Sequence, residues 1–267
     1  MTFHVRERLG RVVTAVVCLA AVAGVHAQVT VHAPQQDPGR RGPQPPKPAM
    51  PARPVPPPLS QERQGRLFPP LDLGLLEGTD REAWQKPDQI MDALGIADGS
   101  VVADIGAGGG WFTMRLAKRV GPNGLVYAED IQQEMIDAIR RRVERERLQN
   151  VRTVRGTETD PNLPRGQDAV LIVNAYHEMD DPARPQVILT LLRHIAEALK
   201  PQGRLGVVDF TPGDGGPGPA ANERADPEAI IKAASAAGLK LLRREMVPPY
   251  QFFLVFGRDP AANRSAQ

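Results

Sequence analysis

From residue 80 onward, short runs of β-branched and apolar residues alternate with longer stretches in which apolar positions recur every three or four residues. The short runs predict strands and the longer stretches predict amphipathic helices, an alternation typical of a parallel sheet with crossover helices. The pattern predicts strands over residues 101–105, 125–129, 151–154, 169–173 and 204–210, and helices over residues 113–120, 133–148, 187–199 and 227–237. It therefore predicts five strand–helix alternations.

The pattern changes at the end of the chain. Two further predicted strands, residues 240–247 and 251–256, are separated only by Pro248, Pro249 and Tyr250. So short a connection permits antiparallel pairing but not a parallel crossover. The predicted fold class is α/β, with a doubly wound, mostly parallel sheet of seven strands that ends in an antiparallel hairpin.

The first 27 residues have the pattern of a secretory signal peptide. Arg6, Arg8 and Arg11 precede an apolar run over residues 12–24, and small residues follow at 25–27. The run is shorter than the roughly 20 residues that a spanning helix needs. We expect a cleaved signal, a periplasmic or secreted mature protein, and no stable membrane span after cleavage. An uncleaved segment that anchors the protein is the alternative.

The rest of the chain divides by composition. Residues 28–59 are dense in proline, which predicts a disordered linker. Residues 60–95 predict a helical lead-in that is interrupted at Pro87, residues 96–258 form the predicted domain, and residues 259–267 are a tail. Trp84 in the lead-in either covers a ligand pocket or packs in the core.

Composition excludes several functions. A net charge of only +2 and 4% aromatic residues argue against nucleic acid as a partner. The single cysteine, Cys18, lies in the signal segment, so the mature chain would have no disulfide. The histidines are isolated, and no metal site is expected.

Residues 101–112, VVADIGAGGGWF, place a glycine-rich loop directly after the first predicted strand. Glycines allow a ligand to approach the backbone closely, and the next helix offers free N–H groups. A dinucleotide fingerprint would need a third glycine at Trp111 or at Thr113. A nicotinamide-linked oxidoreductase is therefore the least favoured function. A loop that is only a tight turn is the alternative to any ligand site.

The stretch DIGAGGG, residues 104–110, resembles motif I of the class I S-adenosylmethionine-dependent methyltransferases. The resemblance extends over residues 80–258 and implies a Rossmann-like methyltransferase fold with S-adenosyl-L-methionine as cofactor. It implies cofactor contacts from five residues of the loop: Asp104, Gly106, Ala107, Gly108 and Gly110.

The stretch VYAEDIQQEMI, residues 126–136, resembles the second-strand motif of the same family. The resemblance implies that Asp130 holds the ribose hydroxyls, with Ile131 beside it. Glu129 is also an acid, and side chains alternate along a strand, so only one of the two can have this role. We chose Asp130 because the D-I-x-x-E-M pattern aligns there.

Two further stretches resemble cofactor-contacting segments of the family. Thr157 and Glu158 occupy the place after the third strand where the family contacts adenine. LIVNAYHEM, residues 171–179, resembles the fourth-strand motif that faces cofactor and acceptor, and it implies a role for Asn174.

His177 and Glu178 follow the fourth strand at the rim where an acceptor would arrive. Histidine titrates near neutrality and suits proton removal, with the carboxylate orienting it or acting itself. A structural histidine is the alternative. The predicted function is methyl transfer to a small-molecule acceptor by an exported enzyme. Because the cofactor is made in the cytoplasm, a non-catalytic binding module is the main alternative.

Overall fold

The computed structural model describes residues 67–213, 215–246 and 249–260. The predicted signal segment, the linker, residues 60–66 of the lead-in and residues 261–267 of the tail lie outside the described residues. Over the described ranges, no helix combines the length and the apolar character needed to cross a bilayer.

One seven-stranded sheet with the order β3-β2-β1-β4-β5-β7-β6 forms the centre of the domain. Strands β1 to β5 pair in parallel, and β7 pairs antiparallel with both β5 and β6. The α/β prediction, with its C-terminal antiparallel hairpin, is therefore confirmed. The strands are β1 (Val101–Ile105), β2 (Leu125–Asp130), β3 (Val151–Arg155), β4 (Gln167–Val173), β5 (Leu199–Phe210), β6 (Leu239–Glu245) and β7 (Gln251–Arg258).

Helices cover both faces of the sheet, and a 3₁₀ segment, Pro70–Glu77, precedes them in the chain. Asp226 caps the last helix by accepting a hydrogen bond from the Glu228 N–H at 2.9 Å, as its sequence position predicts. The helices are α1 (Arg81–Gln85), α2 (Pro87–Ala93), α3 (Trp111–Val120), α4 (Gln133–Glu146), α5 (Tyr176–Met179), α6 (Pro185–Ala198) and α7 (Pro227–Ala236).

Five strand–helix alternations would need a helix between β3 and β4, a stretch for which the predicted ranges contain none. Residues 156–166, between β3 and β4, contain no helix. Strand β5 also begins earlier than predicted, because Leu199 already pairs with Gln167 before an irregularity in the ladder. The helix predicted over residues 187–199 ends at Ala198, and Leu199 is the first residue of this strand. Helix α4 ends at Glu146, where Arg147 adopts a left-handed conformation with φ 54°.

Two apolar clusters, one on each face of the sheet, form the core. One contains Tyr176 and the buried side of α6 and α7. The other contains Phe112 of α3 and Ile90 of α2. Pro87 interrupts the lead-in as predicted, because Lys86 before it adopts φ 52° and separates α1 from α2. The lead-in is therefore part of the domain core.

Candidate cofactor-binding and active site

The glycine loop connects β1 to α3 at the carboxyl end of the parallel strands, where open α/β sheets bind ligands. Gly106, Gly108 and Gly110 have φ values of 65°, 54° and 79°, a left-handed region that favours glycine. The Ala107 N–H donates to the Glu129 carbonyl at 2.9 Å. The loop is therefore fixed against the end of β2.

Gly106 also has a packing role that sequence reasoning missed. A Cβ atom there would lie 2.8 Å from Cβ of Ala175 and 2.9 Å from Cε of Met179. These residues belong to the segment that follows β4. Glycine at 106 therefore lets the loop and this segment approach each other, in addition to any space that it gives a ligand.

The Asp130 carboxylate lies against the glycine loop. Its Oδ2 accepts from the Gly108 N–H and its Oδ1 accepts from the Gln132 N–H, each at 2.9 Å. The Ile131 N–H also stabilises this carboxylate, whose pKa is raised by burial against the opposing effect of these N–H groups. Since a carboxylate offers about four lone-pair sites, it retains capacity for hydroxyl donors.

Glu129 reaches the first glycine of the loop. The Gly106 N–H donates to its Oε2 at 3.3 Å, and a Cβ atom at Gly156 would collide with its Oε1. Burial first, and then the charge of Asp130, raise the pKa of Glu129 to about 8. Glu129 therefore holds a proton at neutral pH, which makes it a poorer acceptor for a ribose diol than an ionised carboxylate.

Asp104 and Arg81 place opposite charges beside the loop. Burial raises the pKa of Asp104 to about 6, although the Thr113 hydroxyl donates to its Oδ2 at 2.6 Å. Burial lowers the pKa of Arg81 to about 10, so this side chain stays cationic at neutral pH. Arg81 donates to the Leu76 carbonyl at 2.7 Å and to Oε1 of Gln85 at 3.3 Å.

The side chain of Asn174 contacts two fully buried glutamines. Its Nδ2 donates to Oε1 of Gln85 at 3.1 Å, and its Oδ1 accepts from Nε2 of Gln251. These bonds join the lead-in, β4 and β7. A cofactor contact of Asn174 stays a prediction.

Thr157 and Glu158 lie on an exposed turn after β3. The Thr157 hydroxyl accepts from the Asp160 N–H at 3.0 Å, which closes the turn. Glu158 pairs with Arg184 at 2.8 Å. Their adenine contact stays a prediction, and the structure gives both side chains protein partners.

His177 in the short helix α5 pairs with a residue that sequence reasoning missed. Its Nδ1 lies 3.0 and 3.1 Å from the two carboxylate oxygens of Asp209, which is fully buried at the end of β5. Its Nε2 lies 3.8 Å from Oε1 of Glu178, whose Oε2 accepts from the Phe68 N–H at 2.8 Å. In the sequence, Asp209 could have been identified as the single acid at the end of the apolar run GRLGVVDF.

Aromatic side chains surround this histidine on one side. The ring centres of His177 and Phe210 are 6.5 Å apart in an edge-to-face arrangement. The ring centres of Trp84 and Phe210 are 6.2 Å apart. Within the described ranges, no group of three or more His, Cys, Asp or Glu side chains could hold a metal ion.

The 3₁₀ segment lies over the glycine loop. A Cβ atom at Gly108 would be 3.5 Å from Leu76, and one at Gly109 would be 3.1 Å from Leu73. Phe68, which precedes the segment, accepts through its carbonyl from Gln132 at 3.1 Å. The start of the described chain therefore borders both the loop and the end of β2.

Comparisons with known proteins find similarity to methyltransferases. Residues 102–203 match a family described as a methyltransferase domain. Ubiquinone/menaquinone biosynthesis C-methyltransferase UbiE of Pasteurella multocida is 31% identical over 45% of this chain and 44% of its own length. Demethylmenaquinone methyltransferase of Lactobacillus johnsonii is 27% identical over 48% of this chain and 50% of its own length. The chain thus spans about half the length of the curated relatives it matches.

Among solved structures, a SAM-dependent methyltransferase from Aquifex aeolicus superposes with a TM-score of 0.66 at 26% identity. The match covers 71% of this chain and 98% of that chain. Together with the matched methyltransferase domain and the relatives above, it supports the resemblance that motif I implied. Residues 102–203 thus match a methyltransferase domain, and these similarities support a class I S-adenosylmethionine-dependent methyltransferase with S-adenosyl-L-methionine as cofactor.

Proposed function

We propose that this protein transfers a methyl group from S-adenosylmethionine to a small-molecule acceptor outside the cytoplasm. The observation that carries the proposal is the hydrogen bond between the Gly108 N–H and Oδ2 of Asp130. It fixes a carboxylate against the glycine loop, where a ribose would have both a backbone to lie on and an acceptor for its two hydroxyls.

The charges beside the loop fit the other end of the cofactor. Arg81 is a nearly buried cation that suits the methionine carboxylate, and Asp104 is an anion that suits the ammonium group. The two opposite charges thus match the carboxylate and the ammonium group of the methionine part of S-adenosylmethionine.

The cofactor supplies an activated methyl group, so the protein needs to bind and orient the reactants. Proximity and alignment alone remove much of the barrier to such a displacement. Leu73 and Leu76 lie against the glycine loop and would shield the bound nucleoside from water. His177 and Glu178, past the end of β4, would face the acceptor.

A labelled-methyl assay tests the proposal. The full chain would be incubated with methyl-labelled S-adenosylmethionine and a fractionated extract of small metabolites, and the label in the products would be followed. We expect label in at least one small molecule, together with binding of S-adenosylhomocysteine by calorimetry. Binding of S-adenosylhomocysteine without transfer of label would favour the non-catalytic binding module. Absence of both binding and transfer would overturn the proposal.

A small-molecule acceptor is supported by the low net charge and the scarcity of aromatic residues. The names of the curated relatives refer to quinone biosynthesis, which is a property of those proteins. Exclusion of nucleic acid stays a prediction, and a filter-binding assay with tRNA at low salt would test it.

Export is supported only by residues 1–27, whose basic start, apolar run and small-residue site are typical of a cleaved signal. Fractionation of the expressing cell and N-terminal sequencing of the mature protein would test it. A mature chain that begins near Gln28 in the periplasm or medium is the expected result. A membrane-bound chain that begins at Met1 would indicate an anchor.

A further inference from the structure

We propose that the exposed side of the 3₁₀ segment and the adjacent exposed side of α4 form a surface that docks on an anionic lipid bilayer. Binding at this surface is peripheral and involves no membrane span. It does not depend on the proposed catalysis or on the methyl acceptor. We call the surface the leucine–arginine face, and it consists of Leu67, Leu71, Leu75, Arg141, Arg145 and Arg147.

The 3₁₀ segment and the residues just before it present apolar side chains both to the site and to solvent. Leu73 and Leu76 lie against the glycine loop. Leu71, in contrast, is 97% exposed, and Leu67 and Leu75 are 40% and 38% exposed. Exposed apolar side chains that cluster, unlike single ones, mark interaction surfaces. These three leucines within nine residues therefore indicate a partner.

Two contacts place the segment alongside α4. The Phe68 carbonyl accepts from Nε2 of Gln132, the residue before α4, at 3.1 Å. Nine positions later, Glu77 pairs with Arg142 of α4. Leu71 and Leu75 lie between these two contacts in the chain, so the exposed leucines are neighbours of α4.

Arginines dominate the exposed side of α4 and of β3 next to it. Residues 137–155 contain seven arginines and three acids, a net charge of +4, compared with +2 for the whole chain. Two of the three acids are paired with arginines. The side chains of Arg141, Arg145 and Arg147 are exposed and form no hydrogen bond or ion pair with another described residue. An anionic partner would therefore find cations beside the leucines.

A bilayer with anionic headgroups fits both parts of this face. Its phosphates attract the arginines, and its boundary between headgroups and acyl chains takes up the leucines. Nucleic acid would pair with the arginines, but such interfaces are polar and would leave Leu71 in water. A second copy of the chain would bring the same arginines together across a two-fold axis.

The chain that leads into this face has the same character. Residues 28–66 contain six basic and two acidic residues and end directly before Leu67, with the apolar run upstream at residues 12–24. A basic stretch next to interfacial apolar residues strengthens adsorption to anionic lipids. Because the 3₁₀ segment also borders the glycine loop, docking would hold the mouth of the cofactor site beside the bilayer.

A fluorophore at Leu71 tests the docking, because its emission reports the surroundings of that position. The full chain would carry Cys18→Ser and Leu71→Cys, so that the dye reacts once, and would be mixed with vesicles of equal parts phosphatidylcholine and phosphatidylglycerol. We expect a blue shift and quenching by spin-labelled acyl chains. The matched control carries the dye at Leu241→Cys, a leucine of β6 that is 38% exposed, and should show neither.

The control position lies at the other edge of the sheet from β3, so it separates docking of one face from general adsorption. Because the dye reports a single position, binding of residues 1–66 to the vesicles does not by itself produce the expected pattern. No shift at Leu71, or equal shifts at Leu71 and Leu241, would overturn the proposal.

Neutralising two arginines tests the charge of the face. In the labelled chain, Arg141→Gln with Arg145→Gln should raise the lipid concentration that gives half of the shift at Leu71 by roughly 30-fold, about 5-fold for each arginine. Arg165→Gln with Arg193→Gln removes two exposed arginines elsewhere and should leave it unchanged. Equal effects of the two double variants would show a response to net charge alone and would overturn the proposal.

The other occupants give distinct results. An equal shift at Leu71 with vesicles of phosphatidylcholine alone would remove the arginines from the interaction and overturn the proposal. Loss of tRNA binding in the variant at Arg141 and Arg145, with unchanged docking on vesicles, would assign the face to nucleic acid. Self-association that Leu71→Gln abolishes, without insertion into vesicles, would assign it to a second copy of the chain.

Discussion

The guanidinium of Arg81 lies 4.2 Å from the centre of the Trp111 ring, so a lead-in residue stacks on the first residue after the glycine loop. Arg115 lies 3.4 Å from the same ring centre. Trp111 stands where a dinucleotide-binding loop would have its third glycine. The tryptophan that breaks the dinucleotide fingerprint thus stacks on Arg81 and holds it beside the glycine loop.

Replacement of Trp111 by alanine should destabilise the domain by about 3–5 kcal/mol, because the ring is nearly buried and stacks with two cations. Urea unfolding of the full chain measures this change. Trp84→Ala is the matched control, and its partly exposed ring should cost less. Equal losses for the two variants would contradict the special role of Trp111.

Arg81→Met should weaken S-adenosylhomocysteine binding by roughly 10- to 100-fold, since hydrogen bonds to charged groups contribute about 1.5–3 kcal/mol. Methylthioadenosine, which lacks the carboxylate, should bind the variant and the wild-type chain equally. Calorimetry with both nucleosides measures the difference. Arg119→Met, which removes a surface arginine paired with Asp88 and Asp92, should change neither affinity.

If Arg81→Met bound neither nucleoside, the arginine would be maintaining the fold of the site and not binding the methionine carboxylate. Unchanged binding of both would show that the carboxylate lies elsewhere. Melting temperatures of the two arginine variants provide the check on folding.

Stability should fall as the pH rises from about 4.5 to about 8. Burial raises the pKa of Glu129 from its ordinary value of 4.5 to about 8, so in this window the folded chain keeps a proton that the unfolded chain has released. The stabilisation is complete below pH 4.5 and is lost as the pH passes through 8. Burial also raises the pKa of Asp104 to about 6, so the stability declines in the same way at lower pH.

Glu129→Gln should remove the part of this decline that lies above pH 6, because the amide resembles the protonated acid and does not titrate. Thermal unfolding of the ligand-free chain at a series of pH values measures the slopes. A variant whose stability declines as steeply as that of the wild-type chain between pH 6 and 8 would contradict the assignment to Glu129.

The order of the elements and the glycine loop could be predicted because they follow from local patterns. β-branched runs, Pro87 and the capping Asp226 each act on neighbouring residues. Residues 156–166 connect β3 to β4 without a helix, and the pattern predicts none there. The early start of β5 depends instead on Gln167, which is distant in the sequence.

The candidate site could be predicted in part for the same reason. Asp104 lies near the end of β1 and Asp130 ends β2, and both fall within recognisable motifs. Asp209 contacts His177 across 32 positions of sequence, and Gln85 contacts Asn174 across 89. Such pairs depend on the sheet order that brings β4, β5 and the lead-in together, which no local pattern encodes.

The most direct test of the central claim is calorimetric titration of the full chain with S-adenosylhomocysteine, comparing the wild-type chain with Asp130→Asn and with the neighbouring Glu129→Gln. We expect tight binding to the wild-type chain, a loss of roughly 10- to 100-fold in Asp130→Asn, and little change in Glu129→Gln. Unchanged affinity in Asp130→Asn, or no binding to the wild-type chain, would contradict the account.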